Sequence, residues 1–425
     1  MQYAEMTSQQ LAEERKKAEA EFAQMKKLNL KLDMSRGKPG ADQLDLSMDM
    51  LKEIIGVCDC KAANGFDCRN YGVLEGLPEC RALFAEILEV PAENVIVGGA
   101  SSLNLMFDYI AQCMTKGVGG EAPWAKQGNI KFICNVPGYD RHFTICEHFG
   151  IEMLSVEMTE NGPDVEKIRE LVKDPLVKGI FCVPKYSNPD GITYSDDTVR
   201  ALAALTPAAK DFRVIWDNAY VVHDLNDHPD SLLNIFEACK AYGSEDMFVE
   251  FTSTSKITFP GAGVSALAAS QANIREIRAR LAMQTISYDK MNQLRHVKFL
   301  KNAAGVRAHM KKHAAILAPK FQIVLDALDR ELRENNLGRW TVPNGGYFIS
   351  LNTTQCSAKR VGELCREMGV VLTSVGATYP YGVDPADRNI RIAPTYPSVE
   401  ELKKAVEVLC LAVRLATLEN LTKKV

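Results

Sequence analysis

Four short apolar runs in this chain end in polar residues that together suit one kind of chemistry. Residues 95–97 (VIV) run into Gly98-Gly99-Ala100-Ser101, and 179–183 (GIFCV) into Pro184-Lys185-Tyr186-Ser187-Asn188. Residues 212–216 (FRVIW) are followed by Asp217-Asn218-Ala219-Tyr220, and 247–251 (MFVEF) lead to Ser253-Thr254-Ser255-Lys256. A lysine amine is a poor nucleophile while protonated, but as an imine to an aldehyde cofactor it anchors a catalyst of carbanion chemistry. Such a cofactor needs a carboxylate to keep its pyridine nitrogen protonated and hydrogen-bond donors for its phenolic oxygen. Its phosphate needs hydroxyls and helix N-terminal amides. The chain offers these groups in order: Ser101 at the start of a helix, Asn188 before a proline, Asp217 and Tyr220 three apart, and Lys256 after Ser253 and Ser255.

The elements that must hold these residues are legible from periodicity. Further apolar runs lie at 130–134 (IKFIC), 151–156 (IEMLSV) and 264–269 (VSALAA), which makes seven candidate strands. Helical stretches at 164–172 and 198–205 fall between some of them. Short buried strands alternating with helices predict an α/β fold with a mainly parallel sheet covered on both faces. Ligands of such sheets bind at the carboxyl ends of the strands, which is where the polar residues cluster. Residues 8–30 predict an amphipathic helix capped by Thr7 or Ser8. From about Asn302 a long helical pattern runs to Asn335, followed by strand-rich segments at 340–351 and 388–393 and a helix over 398–418. The expected division is a large domain over 47–300 and a smaller α+β domain formed by 1–46 and 301–425.

Composition narrows the classes. The chain has 425 residues, 46% of them hydrophobic, with 50 basic and 54 acidic side chains and a net charge of −4. That balance gives no electrostatic footprint for nucleic acid. No apolar run approaches the roughly 20 residues needed to span a bilayer, and the N-terminus lacks the apolar core of a signal peptide. A cytoplasmic enzyme is expected. Twelve cysteines are present, most within apolar runs where a free thiol packs as a small hydrophobe. Cys58, Cys60, Cys68 and Cys80 lack the paired spacing of a structural zinc site, and no metal is expected. His309 and His313, four apart on the long helix, are expected on an exposed face.

Further motifs carry a family resemblance: Ser35-Arg36-Gly37-Lys38-Pro39, Tyr71 with Gly76-Leu77, Pro137-Gly138-Tyr139, Asn188-Pro189-Asp190-Gly191, Asn344-Gly345-Gly346-Tyr347-Phe348 and Arg391-Ile392-Ala393-Pro394. With the four strand ends, and in this order, they resemble the fold-type I, class I aminotransferases that use pyridoxal 5′-phosphate (PLP), closely the bacterial aspartate aminotransferase branch. The resemblance spans nearly the whole chain. It implies a seven-stranded, mainly parallel sheet and a homodimer with shared active sites. Lys256 is then the Schiff-base lysine and proton shuttle, Asp217 the partner of the pyridine nitrogen, and Asn188 and Tyr220 the hydrogen-bond partners of the ring oxygen. Tyr139 resembles the aromatic stacked on the ring. Ala100, Ser101, Ser253 and Ser255 resemble the phosphate cup, and Tyr71 the residue that reaches the phosphate of the partner subunit. Arg391 resembles the reader of the substrate α-carboxylate, for which a planar fork suits bidentate contact. Asn188 touches that carboxylate too, and the backbone of Gly37 closes over the substrate.

One segment departs from the pattern. Most of the superfamily carries Pro-Gly-x-Arg-x-Gly after the lysine, whereas this chain reads Pro260-Gly261-Ala262-Gly263-Val264. A glycine stands where an arginine would meet the phosphate, with Lys290 and Arg295 as alternative cations. A distal substrate carboxylate would need a further cation, from among Arg36, Arg141, Lys290 and Arg295. The resemblance favours L-aspartate with 2-oxoglutarate; alanine, aromatic and aminoadipate substrates stay open, as does a PLP β-lyase or decarboxylase. A PLP-binding transcription regulator needs a helix-turn-helix, for which about 35 residues before the first motif are too few. A nicotinamide dehydrogenase would need a G-x-G-x-x-G turn after a strand, which is missing.

Overall fold

Every one of the seven apolar runs becomes a strand of a single sheet. The computed structural model describes residues 2–423. The sheet order is Val95–Val97, Ser265–Ala269, Phe248–Ser253, Arg213–Asp217, Val177–Cys182, Lys131–Val136 and Glu152–Thr159, with the two-residue strand Gly162–Pro163 added at the far edge. The five strands from Phe248–Ser253 to Glu152–Thr159 are mutually parallel, and Ser265–Ala269 runs against its neighbours. Lys131–Val136 aside, whose first residue is half-buried, the inner strands are buried along their whole length. That burial is why they read as continuous apolar runs rather than as alternating patterns. Asp217 pairs in register with Phe251, so the sheet alone brings the end of the Asp217 strand beside the segment leading to Lys256.

The helices start where their caps say. Thr7 accepts from the Gln10 amide and Gln10 returns the bond, opening Ser8–Lys27 with a capping box. Asn302 caps Ala303–Leu328, which runs into a single π-helical stretch, Asp329–Arg333. The C-terminal helix is longer than its pattern suggested, Val399–Lys423. It packs with Ser8–Lys27, Ala303–Leu328 and Ala358–Glu367 around one apolar cluster that includes Met25, Phe321, Ile349 and Leu409.

One expectation is refined and one needs correction. The strand-rich segment 340–351 supplies parts of two strands, Gly338–Trp340 and Ile349–Thr353, which form a three-stranded antiparallel sheet with Asn389–Ile392. Between them, Asn344-Gly345-Gly346 presses its backbone on Tyr186. A Cβ on Gly345 would lie 2.2 Å from that ring, and Gly346 holds φ +83°. His309 and His313 do not face solvent. They are 5% and 1% exposed; His309 Nε2 lies 2.9 Å from the carbonyl of Ile257, one residue past Lys256, and His313 Nε2 lies 3.2 Å from His309 Nε2. The Gln43 amide nitrogen bridges His313 Nδ1 at 3.1 Å and the Tyr347 hydroxyl at 3.0 Å. Lys311 and Lys312, between the two histidines in sequence, are the exposed residues of this turn.

Candidate active site

The strand ends converge on a cavity of about 150 Å³ lined by Ser101, Tyr139, Asn188, Asp217, Tyr220, Ser253, Ser255 and Lys256. Eight residues spread over more than 150 positions thus share one space. Lys256 Nζ lies 5.0 Å above the Tyr220 ring and 5.6 Å from that of Tyr347. Burial lowers the pKa of its amine, opposed by the negative charge of Asp217. The balance favours a deprotonated, nucleophilic amine more than on an open surface. Tyr220 is buried, and desolvation with the nearby Tyr139 and Asp217 raises its pKa well above the ordinary phenol range. It stays a neutral hydrogen-bond donor.

Asp217 carries the most informative geometry. Its Oδ2 accepts from His142 Nε2 at 3.0 Å, while its Oδ1 is buried with no hydrogen-bond partner among the described residues. A carboxylate oxygen withdrawn from water without a donor is costly, and a protonated pyridine nitrogen facing it would supply one. His142 was not singled out in the sequence. It sits in the first turn of Asp140–Phe149, stacked on Phe181 at 4.4 Å, and Tyr139 meets it edge-on at 5.0 Å. The signal that could have found it is the spacing Tyr139-x-x-His142 at a helix start, which puts both rings on the cavity side.

At the other end, Ser101 caps Ser102–Lys116, accepting from the Leu103 amide. Ser253 Oγ and Ser255 Oγ are 3.0 Å apart, and Ser255 Oγ donates to the Ala100 carbonyl at 3.2 Å. Hydroxyls and the first amides of a 15-residue helix therefore meet where an anion would sit. A Cβ on Gly263 would lie 2.9 Å from the Ala100 carbonyl, so the backbone itself occupies the room that a side chain at the expected arginine position would need. The two alternative cations have partners within their own segment, and the Asn292 side-chain amide that Arg295 meets donates in turn to the Gly263 carbonyl at 2.9 Å. Lys290 Nζ donates to Ser287 Oγ at 2.7 Å and Arg295 to Asn292 Oδ1 at 2.7 Å.

Arg391 is buried in the Asn389–Ile392 strand, 203 positions from Asn188, yet its Nη1 donates to Asn188 Oδ1 at 3.2 Å. Its guanidinium lies 4.8 Å over Phe348, and a Cβ on Gly37 would lie 2.3 Å from the same ring. Gly37, Phe348 and Arg391 thus form one stack at the cavity's edge, and no larger residue than glycine fits there. Tyr71 stands apart: it is 76% exposed and does not line the cavity of its own chain. Arg36 and Arg141 are exposed.

Residues 6–425 match the family described as "Aspartate amino-transferase". The chain belongs to this aminotransferase family. An aspartate aminotransferase of Corynebacterium glutamicum is 48% identical over 400 residues, covering 94% of this chain and 92% of its relative. The structure of an aspartate transaminase from that organism superposes with a TM-score of 0.96 at 45% identity, over 99% of both chains. A putative aminotransferase of Mycolicibacterium smegmatis is 45% identical over 94% of each chain. At 20% identity, the α-aminoadipate aminotransferase of Thermus thermophilus, solved with N-(5′-phosphopyridoxyl)-L-leucine, shares the fold with a TM-score of 0.72 over 92% of this aminotransferase. The protein is an aminotransferase of the fold-type I architecture.

Proposed function

We propose that this aminotransferase uses PLP held on Lys256 to move the amino group of L-aspartate to 2-oxoglutarate, giving oxaloacetate and L-glutamate. The observation that carries the cofactor reading is the unpartnered Asp217 Oδ1, buried in the cavity that Lys256 lines. The aspartate reading is supported by relatives of 45% identity or more that carry that name.

Bound PLP supplies an electron sink for the pair released when a Cα–H bond breaks. Everything else falls to the chain. Asp217 holds a positive charge at the ring nitrogen, and His142 fixes the carboxylate by occupying Oδ2. Asn188 and Tyr220 hydrogen-bond the ring oxygen, and Tyr139 covers the ring face. Ser101, Ser253, Ser255 and the Ala100 amide receive the phosphate. Lys256 Nζ, with its pKa lowered by burial, would act as the base once the substrate amine has displaced it from the cofactor, taking the proton from the substrate Cα and delivering it to the cofactor carbon on the far side of the shared nitrogen. Arg391 with Asn188 fixes the α-carboxylate, which both the donor and the acceptor present, and Gly37 leaves the approach to Arg391 open.

The same reading includes a cytoplasmic homodimer in which Tyr71 serves the partner's phosphate. The exposure of Tyr71, at 76%, and of the large apolar side chains Ile55, Val57 and Met283 supports a covering second chain. It also includes the division at 47–300 against 1–46 and 301–425, supported by the apolar cluster that draws on both chain ends. The test is an amino-donor panel with 2-oxoglutarate as acceptor, read by keto-acid release. Aspartate should lead and yield oxaloacetate; alanine as the product would mean β-decarboxylation and overturn the transamination reading.

A further inference from the structure

We propose that Asp140 is a placeholder carboxylate, holding the Arg391 fork in the empty site and yielding to the substrate's α-carboxylate. The proposal rests on the reading of Arg391 as the α-carboxylate reader.

Arg391 spends its donors unevenly. Nε donates to Thr373 Oγ1 at 3.3 Å, and Nη1 is divided between Asn188 Oδ1 at 3.2 Å and Asp140 Oδ1 at 3.1 Å. Among the described residues no acceptor stands on Nη2. A carboxylate binds a guanidinium best through two parallel N–H groups, and Asp140 engages only one. It satisfies the charge of a buried arginine, which would otherwise stand uncompensated in the empty site, while leaving the fork half used. A substrate carboxylate that takes both Nη1 and Nη2 gains the second bond and must displace Asp140 from the first, because two carboxylates on one edge repel.

The two occupants of Nη1 differ in their freedom to leave. Asn188 is 5% exposed and followed by a proline, whereas the Asp140 side chain is 32% exposed. Asp140 is also the first residue of the ten-residue helix Asp140–Phe149, where an anion stays stabilised by the free amides after its arginine is taken. Leaving Arg391 therefore costs Asp140 less than it would cost Asn188. Tyr139, its neighbour, covers the ring face, so the exchange happens one residue from the cofactor. The consequence is an arginine kept in position without substrate, at the expense of affinity for every carboxylate that competes for it.

The test is calorimetric titration of the holoenzyme with two unreactive acids, propionate and succinate. In Asp140→Asn both should bind roughly three- to tenfold more tightly than in the wild type. Asp140→Ser, which keeps an oxygen at the helix start, should do the same and serves if the asparagine variant is poorly made. Arg391→Ala should bind both at least about 30-fold more weakly. Unchanged or weaker binding in the Asp140 variants, with the Arg391→Ala loss intact, would make Asp140 a fixed brace and end the proposal. Arg391→Ala that binds both acids normally would instead refute the α-carboxylate reading itself.

Discussion

Replacing Asp217 tests the cofactor reading where the structure is most specific. Asp217→Ala removes a carboxylate whose one oxygen is engaged by His142 at 3.0 Å and whose other has no partner among the described residues. The lost interaction is therefore the charge that Oδ1 presents to a protonated ring nitrogen. Two unit charges about 4 Å apart at an effective dielectric near 20 interact by about 4 kcal/mol. If that term serves the transition state, turnover falls by about a thousandfold, since each 1.4 kcal/mol is about a factor of ten. Asp217→Asn keeps an acceptor for His142 and removes only the charge, so it should lose nearly as much. Both variants should retain cofactor, which Lys256 and the serine cup still hold. The assay is steady-state oxaloacetate release beside cofactor content measured on the same preparation. Turnover within tenfold of the wild type at full cofactor content would refute the assignment.

Three further outcomes are expected. Borohydride reduction of the yellow holoenzyme should fix the cofactor on Lys256, and Lys256→Ala should leave no lysine labelled in peptide mass analysis; a label elsewhere would reassign the anchor. Mixing inactive Tyr71→Ala and Lys256→Ala subunits should restore part of the activity in verified heterodimers, and none if Tyr71 serves its own chain. Burial with the charge of His309 depresses the pKa of His313 to about 4 from an ordinary 6.5. The unfolded chain then binds more protons between these values, and stability should fall as pH drops from 6.5 to 4. Denaturant midpoints at pH 7 and pH 5 should differ less in His313→Gln than in the wild type, and an equal difference would remove His313 from that account.

The large sheet was legible because its strands are buried on both faces, so each appears as an uninterrupted apolar run with a polar end. Lys256, Asp217, Tyr220 and Asn188 could be placed for the same reason: their positions follow from strand ends, which sequence marks well. What sequence does not mark is which helix face turns inward. His142 lies in a first turn whose one apolar residue is Phe143; its spacing from Tyr139 is a weak signal, and the packing on Phe181 and the bond to Asp217 decide which way it faces. His309 and His313 are spaced as any exposed i, i+4 pair would be, with lysines between them, and nothing local says that their side meets Ile257. Residues 341–348 kept enough apolar character to resemble strand, but the glycines there answer to Tyr186, more than 150 positions earlier. The contact of Asp140 with Arg391 spans 251 positions and has no local trace at all.

The two histidines on the Ala303–Leu328 helix fix more than their own burial. Gly40 donates its amide to Gln43 Oε1, which turns the Gln43 nitrogen toward His313 Nδ1 and makes that ring atom an acceptor. The proton of His313 therefore sits on Nε2, which faces His309 Nε2 at 3.2 Å, and His309 Nε2 lies 2.9 Å from the carbonyl beside Lys256. One end of the helix is thus tied to the peptide that follows Lys256, while Leu317, Phe321 and Val324 further along belong to the apolar cluster of the chain ends. Inside that stretch, between Leu317 and Phe321, lies Pro319, which has no amide to offer the Ala315 carbonyl and leaves the helix easiest to bend there. A bend there would shift Phe321 and Val324 relative to the turns of the helix that are tied beside Lys256.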